Sequence, residues 1–256
     1  MIELLDTAYR EIGDMTLYLD LFLPDSAEKP PLILWIHGGA WMMGDRKWCG
    51  IKDQAERGYA VASIDYRLST TAPFPACIED CKYALAFLRE NADQYPVDFS
   101  RVCAAGDSSG GHLAALMGVS VGHADWEPEG ADCSVQAVID FFGPAWLKHG
   151  HPQDIGERTV ANALLGVSVA SAKGLMAAAA ASPVTYIDGT EPPFLILHGD
   201  QDDVNHIGQS RMLRDELEKH GRSVAMHTVF GGGHGFSNPA AQAVVDDFLA
   251  YHMPIK

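Results

Sequence analysis

The chain has 256 residues, of which 34 are acidic and 18 are basic, so its formal net charge is −16. Such a charge repels nucleic acid and anionic membrane surfaces, which we therefore do not expect as partners. With 47% apolar and 20% charged residues, the composition is that of an ordinary globular protein, and we expect residues 1–256 to form a single domain.

The N-terminus and the cysteines bear on where the protein works. Residues 1–6 have neither the basic nor the apolar region of a signal peptide, and no apolar run approaches membrane-spanning length. The five cysteines include no Cys-x-x-Cys pair, so reduced thiols are expected rather than a disulfide framework or a metal site. These features predict a cytoplasmic protein, with secretion left open if a leader has been trimmed.

Apolar strands alternate with helices along most of the chain. Residues 1–30 suggest an antiparallel start, in which 17–23 is a strand that ends in a turn at 24–26. Further strands are predicted over 32–36, 60–65, 102–105, 135–141, 194–200 and 224–230. Helices are predicted over 51–58, 78–91, 112–117, 208–220 and 244–251. Buried strands in alternation with helices predict an α/β fold, with a mostly parallel sheet flanked by helices on both faces.

Residues 144–186 interrupt this alternation, because they separate two strands by about forty positions, more than one crossover helix needs. The alanine-rich run at 177–181 predicts a helix within the segment. Insertions at the carboxyl ends of strands lie over the ligand site in such sheets. We therefore expect a short helical insertion that forms a partial lid, with plain packing as the alternative.

The stretch 106–110 has the sequence Gly-Asp-Ser-Ser-Gly, with an apolar strand before it and a predicted helix after it. Gly-x-Ser-x-Gly in that context is the nucleophile elbow, a sharp turn that exposes its central serine above the sheet. Glycine is needed two residues before and two residues after the serine, since side chains there would collide. Ser108 is therefore the predicted nucleophile, because Ser109 lacks the two flanking glycines.

A serine hydroxyl needs a histidine base, and the base needs a carboxylate that orients it. In this fold class the acid precedes the histidine in the chain. His234 lies in a glycine-rich loop directly after the last predicted strand, so it is the predicted base. The loop after residues 194–197 offers Asp200, Asp202 and Asp203. The pattern usual there, His-Gly-Asp-x-Asp-x-x-Val-Pro, favours Asp202 as the acid and Asp200 as a turn cap.

The negative oxygen of a tetrahedral intermediate needs preorganised backbone N–H donors, each worth about 3 kcal/mol of barrier. The residue after the nucleophile supplies one donor, here Ser109. The others come from the loop after an earlier strand, where residues 37–41 have the sequence His-Gly-Gly-Ala-Trp. Because glycine lets the backbone approach a substrate closely, Gly39 and Ala40 are the predicted donors of this oxyanion hole.

With these residues in place, the chain resembles the α/β-hydrolase superfamily. It is most similar to the hormone-sensitive-lipase-like and feruloyl/acetyl-esterase-like (BD-FAE-like) carboxylesterases, which carry His-Gly-Gly-x-Trp. The resemblance extends over nearly the whole chain and rests on the motifs above together with 58–61, 65–69, 74–76, 79–80, 142–144 and 182–186. The chain departs from the family pattern at Ala40, where glycine is common, and at Asn205 and His206, where Val-Pro is usual.

The resemblance implies a serine carboxylesterase that needs no metal or cofactor and works through an acyl-enzyme intermediate. Its expected substrates are small-molecule esters with short acyl or hydroxycinnamoyl (acetyl or feruloyl) groups, including those that decorate plant polysaccharides. Trp41, Met42 and Phe236 flank the catalytic loops and are expected to line the acyl pocket, with core packing as the alternative.

Two other functions are compatible with the sequence. Kynurenine formamidases also carry His-Gly-Gly-x-Trp, so an arylformamidase or another amidase is the main alternative. A non-catalytic small-molecule receptor on the same fold is the other, but such receptors typically lose the serine or the histidine, and Ser108 and His234 are both present. The sequence leaves the natural ester and the oligomeric state open.

Overall fold

The computed structural model contains a sheet of eight strands and describes residues 1–25, 29–123, 125–147 and 155–255. The strands, labelled in chain order, are β1 Ile2–Ile12, β2 Met15–Leu23, β3 Pro31–Ile36, β4 Ala60–Ile64, β5 Asp98–Asp107, β6 Ala137–Phe141, β7 Phe194–Gly199 and β8 Val224–Val229. Their order in the sheet is β1-β2-β4-β3-β5-β6-β7-β8. β2 pairs antiparallel with β1 and β4, whereas the other neighbouring pairs are parallel. The expectation of a mostly parallel sheet is confirmed.

Helices cover both faces of this sheet. They are α1 Ala76–Glu90, α2 Ser109–Val119, α3 Ile155–Leu165, α4 Ala172–Ala180, α5 Gly208–Lys219 and α6 Pro239–His252. Leu32, Leu34 and Ile36 of β3 belong to the core cluster that includes α1 and α2, whereas Ile33 and Trp35 belong to the cluster that includes α6. Because alternate residues of a strand point to opposite faces, the sheet carries one core on each side. None of the helices in the described ranges combines the length and the apolar character that a membrane span requires.

The segment 51–58 differs from its predicted helix. It forms only a 3₁₀ turn, Lys52–Ala55, and Ile51 ahead of this turn supplies no side-chain cap. Gly58 has a φ of +102°, a left-handed conformation in which a helix does not continue. Because no side chain caps the start of this segment and Gly58 ends it in a left-handed conformation, it forms a single short turn rather than a helix.

The insertion at 144–186 contains α3, α4 and a 3₁₀ turn at Pro183–Thr185. The helix predicted at 177–181 is confirmed by α4, which extends to Ala180. Leu164 and Ala178 are buried in the core cluster that includes α2, so packing accounts for part of the insertion. Residues 148–154 lie outside the described residues, and the partial lid stays a prediction.

Candidate active site

Ser108 occupies the sharp turn between β5 and α2. Its backbone has φ +52° and ψ −118°, in a region that side-chain-bearing residues rarely adopt. The strain is held by two backbone hydrogen bonds, from Ser108 N to Phe141 O at 2.8 Å and from His112 N to Ser108 O at 3.0 Å. The chain therefore turns here as a nucleophile elbow does.

The two glycines that flank Ser108 are required by close backbone contacts. A Cβ atom on Gly106 would lie 2.5 Å from the carbonyl oxygen of Ile36 and would overlap that of Gly110. A Cβ atom on Gly110 would overlap the carbonyl oxygen of Ile36. Because β3 ends directly against the elbow, neither position has room for a side chain, which is the physical basis of the Gly-x-Ser-x-Gly spacing.

The structure brings Ser108, His234 and Asp202 into one hydrogen-bonded line. His234 Nε2 lies 3.0 Å from Ser108 Oγ, and His234 Nδ1 lies 2.9 Å from Asp202 Oδ2. Asp202 stands in the loop after β7 and His234 in the loop after β8, while Ser108 follows β5. Since carboxylate oxygens only accept hydrogen bonds, His234 donates a hydrogen bond from Nδ1 and accepts one from the Ser108 hydroxyl at Nε2.

The Asp202 carboxylate is buried and fully hydrogen-bonded. Burial alone raises its pKa, but hydrogen bonds from the side chains of His198 and His234 and from the backbone N–H of Asn205 outweigh that effect. The pKa of Asp202 is therefore held below its ordinary range. The carboxylate therefore stays ionised at neutral pH.

The other two acidic residues of this loop have different places. Asp200 Oδ1 accepts a hydrogen bond from the backbone N–H of Gly231 at 2.6 Å, so Asp200 joins the acid loop to the loop that carries His234. Asp203 is exposed. Only Asp202 of the three contacts the His234 imidazole.

Two of the predicted oxyanion donors lie in the loop after β3, and the third is the first residue of α2. Gly39 and Ala40, with φ of +118° and +56°, turn the chain after β3. In the part of the chain that the structure describes, their N–H groups donate to no acceptor, and Ser109, as the first residue of α2, has no helical partner for its N–H. Gly38 N donates to Asp107 Oδ1 at 2.8 Å, which ties this loop to the elbow.

The pocket residues expected from the sequence occupy different environments. Trp41 is 4% exposed, and its indole Nε1 donates to His112 Nδ1 at 3.2 Å. Its ring packs against that of His112, and the expectation that Trp41 lines the acyl pocket stays a prediction. Met42 is exposed, and Phe236 is half-buried beside Phe142, with ring centroids 5.5 Å apart.

Two contacts of the triad are not predicted by the sequence. His198 Nε2 lies 3.2 Å from Asp202 Oδ2, so a second histidine touches the carboxylate. The Phe142 ring lies 4.8 Å from the His234 ring, centroid to centroid. The sequence indicates these two residues only indirectly. His198 belongs to the His-Gly-Asp pattern, and Phe142 directly follows a predicted strand.

The fold and the site together define a class of protein. A strained serine elbow at the carboxyl end of a parallel strand, with an aspartate and a histidine aligned on it from later loops, is the arrangement of an α/β-hydrolase. The chain belongs to the BD-FAE family, whose family model matches residues 19–217.

Known proteins of similar sequence and structure are esterases by name. Esterase LipC of Mycobacterium tuberculosis is 32% identical over 241 residues, which are 86% of this chain but 58% of LipC, so the chain spans less than two thirds of that relative. A truncated carbohydrate esterase from gut microbiota is 29% identical, with a TM-score of 0.85 and coverage of 97% of this chain and 95% of that one. The bifunctional GH43-CE protein of Bacteroides eggerthii is 31% identical, with a TM-score of 0.87 and coverage of 98% of this chain and 35% of that one.

Proposed function

We propose that this protein is a serine carboxylesterase with Ser108 as nucleophile, His234 as general base and acid, and Asp202 as the orienting carboxylate. The observation that carries the proposal is the unbroken line of hydrogen bonds, 3.0 Å from Ser108 to His234 and 2.9 Å from His234 to Asp202. A protein that only binds its ligand has no need for this line or for the backbone strain at Ser108.

The reaction begins when Ser108 Oγ attacks the ester carbonyl carbon while His234 Nε2 takes the hydroxyl proton. The negative charge moves to the carbonyl oxygen, where the N–H groups of Gly39, Ala40 and Ser109 stabilise it, each by about 3 kcal/mol. His234 then delivers its proton to the departing alcohol oxygen, and the acyl group remains on the serine. Ionised Asp202 stabilises the imidazolium throughout this step.

Water completes the cycle by the same route in reverse. His234 takes a proton from the water molecule, whose oxygen attacks the acyl-enzyme carbonyl carbon. The second tetrahedral intermediate uses the same three N–H donors and collapses to release the carboxylic acid. The proton held by His234 returns to Ser108 Oγ, so the protein ends as it began and only the ester and water are consumed.

For the substrate, we propose small-molecule esters with short acyl or hydroxycinnamoyl groups, including acetyl and feruloyl esters derived from plant polysaccharides. Membership of the BD-FAE family and the likeness to a carbohydrate esterase support this class. The exposed Met42 and the half-buried Phe236, which stands beside Phe142 near His234, are the proposed apolar lining for the acyl group.

The proposal is tested by parallel rate measurements on the purified protein. The substrates are p-nitrophenyl acetate, methyl ferulate, an acetylated xylo-oligosaccharide and N-formylkynurenine, and the control is Ser108→Ala. We expect fast turnover of the acetyl or feruloyl esters, little turnover of the formamide, and none by the variant. Dominant hydrolysis of N-formylkynurenine would replace the esterase by an arylformamidase. No turnover of any substrate would favour a receptor.

A further inference from the structure

The turn that follows β6 touches two parts of the proposed machinery. The carbonyl oxygen of Phe141 accepts the hydrogen bond from Ser108 N at 2.8 Å, and the ring of Phe142 packs against the His234 imidazole at 4.8 Å. Phe142 has a φ of +49°, a left-handed conformation that is unfavourable for an aromatic residue. Such a conformation persists only where the surrounding structure holds it, so neighbouring groups must fix Phe142 in place.

One of these groups is Asn205, in the loop that carries Asp202. The side-chain Nδ2 of Asn205 donates to the carbonyl oxygen of Phe142 at 2.7 Å. Its backbone N–H donates to Asp202 Oδ1 at 2.8 Å, and its own carbonyl oxygen lies 2.7 Å from His198 Nε2. Asn205 thus connects the acid loop to the residue whose ring packs on His234.

The buried side-chain amide of Asn205 is unfavourable for the stability of the fold. The residue is 4% exposed, and within residues 1–25, 29–123, 125–147 and 155–255 no group pairs with its Oδ1. A buried, unpaired amide oxygen destabilises a protein, and the family pattern has the apolar valine at this position. An apolar side chain would avoid that cost but would leave the carbonyl oxygen of Phe142 without this donor.

We infer that Asn205 is a positioning residue for the reaction: its amide holds Phe142 against His234 and so keeps the imidazole between Ser108 and Asp202. The inference rests on the proposed function, and it concerns geometry rather than substrate contact. Asn205 is buried within the loop that carries Asp202, and its hydrogen bonds join it to Asp202 and Phe142. Loss of the Asn205 amide is therefore expected to slow the chemical step and to leave substrate binding nearly unchanged.

The test compares Asn205→Leu, a change of similar size and shape, with Gln54→Leu. Gln54 is a matched control because it too is a buried amide, donates one side-chain hydrogen bond (to Asp246 at 2.7 Å), and has an Oε1 with no partner in the described ranges. It lies in the 3₁₀ turn Lys52–Ala55 and bonds to α6, with no hydrogen bond to the triad loops. Any effect that comes merely from removing a buried amide should appear in both variants.

For Asn205→Leu we expect kcat on p-nitrophenyl acetate to fall between about tenfold and about a hundredfold, the range for a misplaced catalytic group, with KM changed less than about twofold. For Gln54→Leu we expect kcat to remain at the wild-type value. Asn205→Val, which introduces the residue usual in this loop pattern, is measured in the same way in case the leucine variant fails to fold.

A second readout does not depend on turnover. The His234 Nδ1 proton, which bonds to Asp202, is followed by NMR in the wild type and in both variants. We expect this resonance to shift or broaden in the Asn205 variants and to stay in place in Gln54→Leu. Unchanged kcat and an unchanged resonance in the Asn205 variants would overturn the inference. If the wild type hydrolyses no ester, the proposed function fails, and the resonance alone then decides whether Asn205 positions His234.

Discussion

The substitution Asp202→Asn provides a sharp test of the proposed acid, because the hydrogen bonds around Asp202 dictate how an amide must sit. Oδ1 of Asp202 accepts the backbone N–H groups of Val204 and Asn205 at 2.9 and 2.8 Å. Oδ2 accepts from His234 Nδ1 at 2.9 Å and lies 3.2 Å from His198 Nε2, a nitrogen that is closer to the carbonyl oxygen of Asn205, at 2.7 Å. Backbone donors cannot change their role, so the oxygen of an introduced amide must take the Oδ1 position and its NH₂ group must face His234.

This orientation forces the wrong tautomer on His234. Because the NH₂ group only donates, Nδ1 of His234 must become an acceptor, and the ring proton then moves to Nε2, which faces Ser108. A protonated Nε2 cannot accept the hydroxyl proton, and the negative charge that stabilises the imidazolium is also lost. The same change of acid to amide in the triad of a serine protease lowers kcat roughly 10⁴-fold, and we expect a fall of about that size here.

The assay is steady-state hydrolysis of p-nitrophenyl acetate by the wild type, Asp202→Asn and Asp200→Asn. Asp200 is the matched control because it lies in the same loop and bonds to the backbone N–H of Gly231 rather than to His234. We expect Asp200→Asn to keep kcat within about tenfold of the wild type, since it alters no group in the triad line. A larger loss of kcat in Asp200→Asn than in Asp202→Asn would refute the assignment of the acid.

Three further predictions concern the elbow and a buried carboxyl. Ser108→Ala is expected to abolish ester turnover without loss of folding, as measured by hydrolysis rates and circular dichroism; substantial remaining turnover would move the nucleophile elsewhere. Gly110→Ala is expected to lower the free energy of unfolding by about 3 kcal/mol in urea titrations, because the added methyl overlaps the Ile36 carbonyl oxygen; an unchanged value would show that the elbow has spare room. Burial raises the pKa of Asp140 to about 6, above its unfolded value, so its ionisation weakens the fold as pH rises from about 4 to about 6. Asp140→Asn should remove that part of the pH dependence of unfolding, and an identical pH profile in the variant would contradict it.

The elbow and the general fold are predictable from the sequence because their requirements are local. The glycines at positions 106 and 110 indicate that the backbone is crowded on both sides of Ser108. In the structure, a Cβ atom on either glycine would lie too close to the carbonyl oxygen of Ile36. The apolar strands are recognisable for a similar reason, since a parallel sheet covered on both faces needs continuous apolar runs. The predicted helix at 51–58 shows the limit of such reasoning, because helix-compatible residues ahead of a glycine do not reveal that only a 3₁₀ turn, Lys52–Ala55, forms there.

Residues whose roles depend on partners far away in the chain are harder to predict from the sequence. Trp41 belongs to a motif beside the elbow, yet its indole packs against His112, 71 positions away. Among the acidic residues of one loop, spacing favours Asp202, but only the loop conformation brings it to His234, 32 positions later.

The sequence by itself therefore indicates the α/β architecture, the sharp turn at Ser108 and the residues proposed as the triad, because glycine spacing and apolar runs act through neighbouring backbone. The tertiary structure alone decides which side chains support the triad. Asn205 and Phe142 are 63 positions apart, and their contact depends on how two loops meet at the edge of the sheet. Such a contact arises from the packing of the whole chain, and no local preference of either residue encodes it.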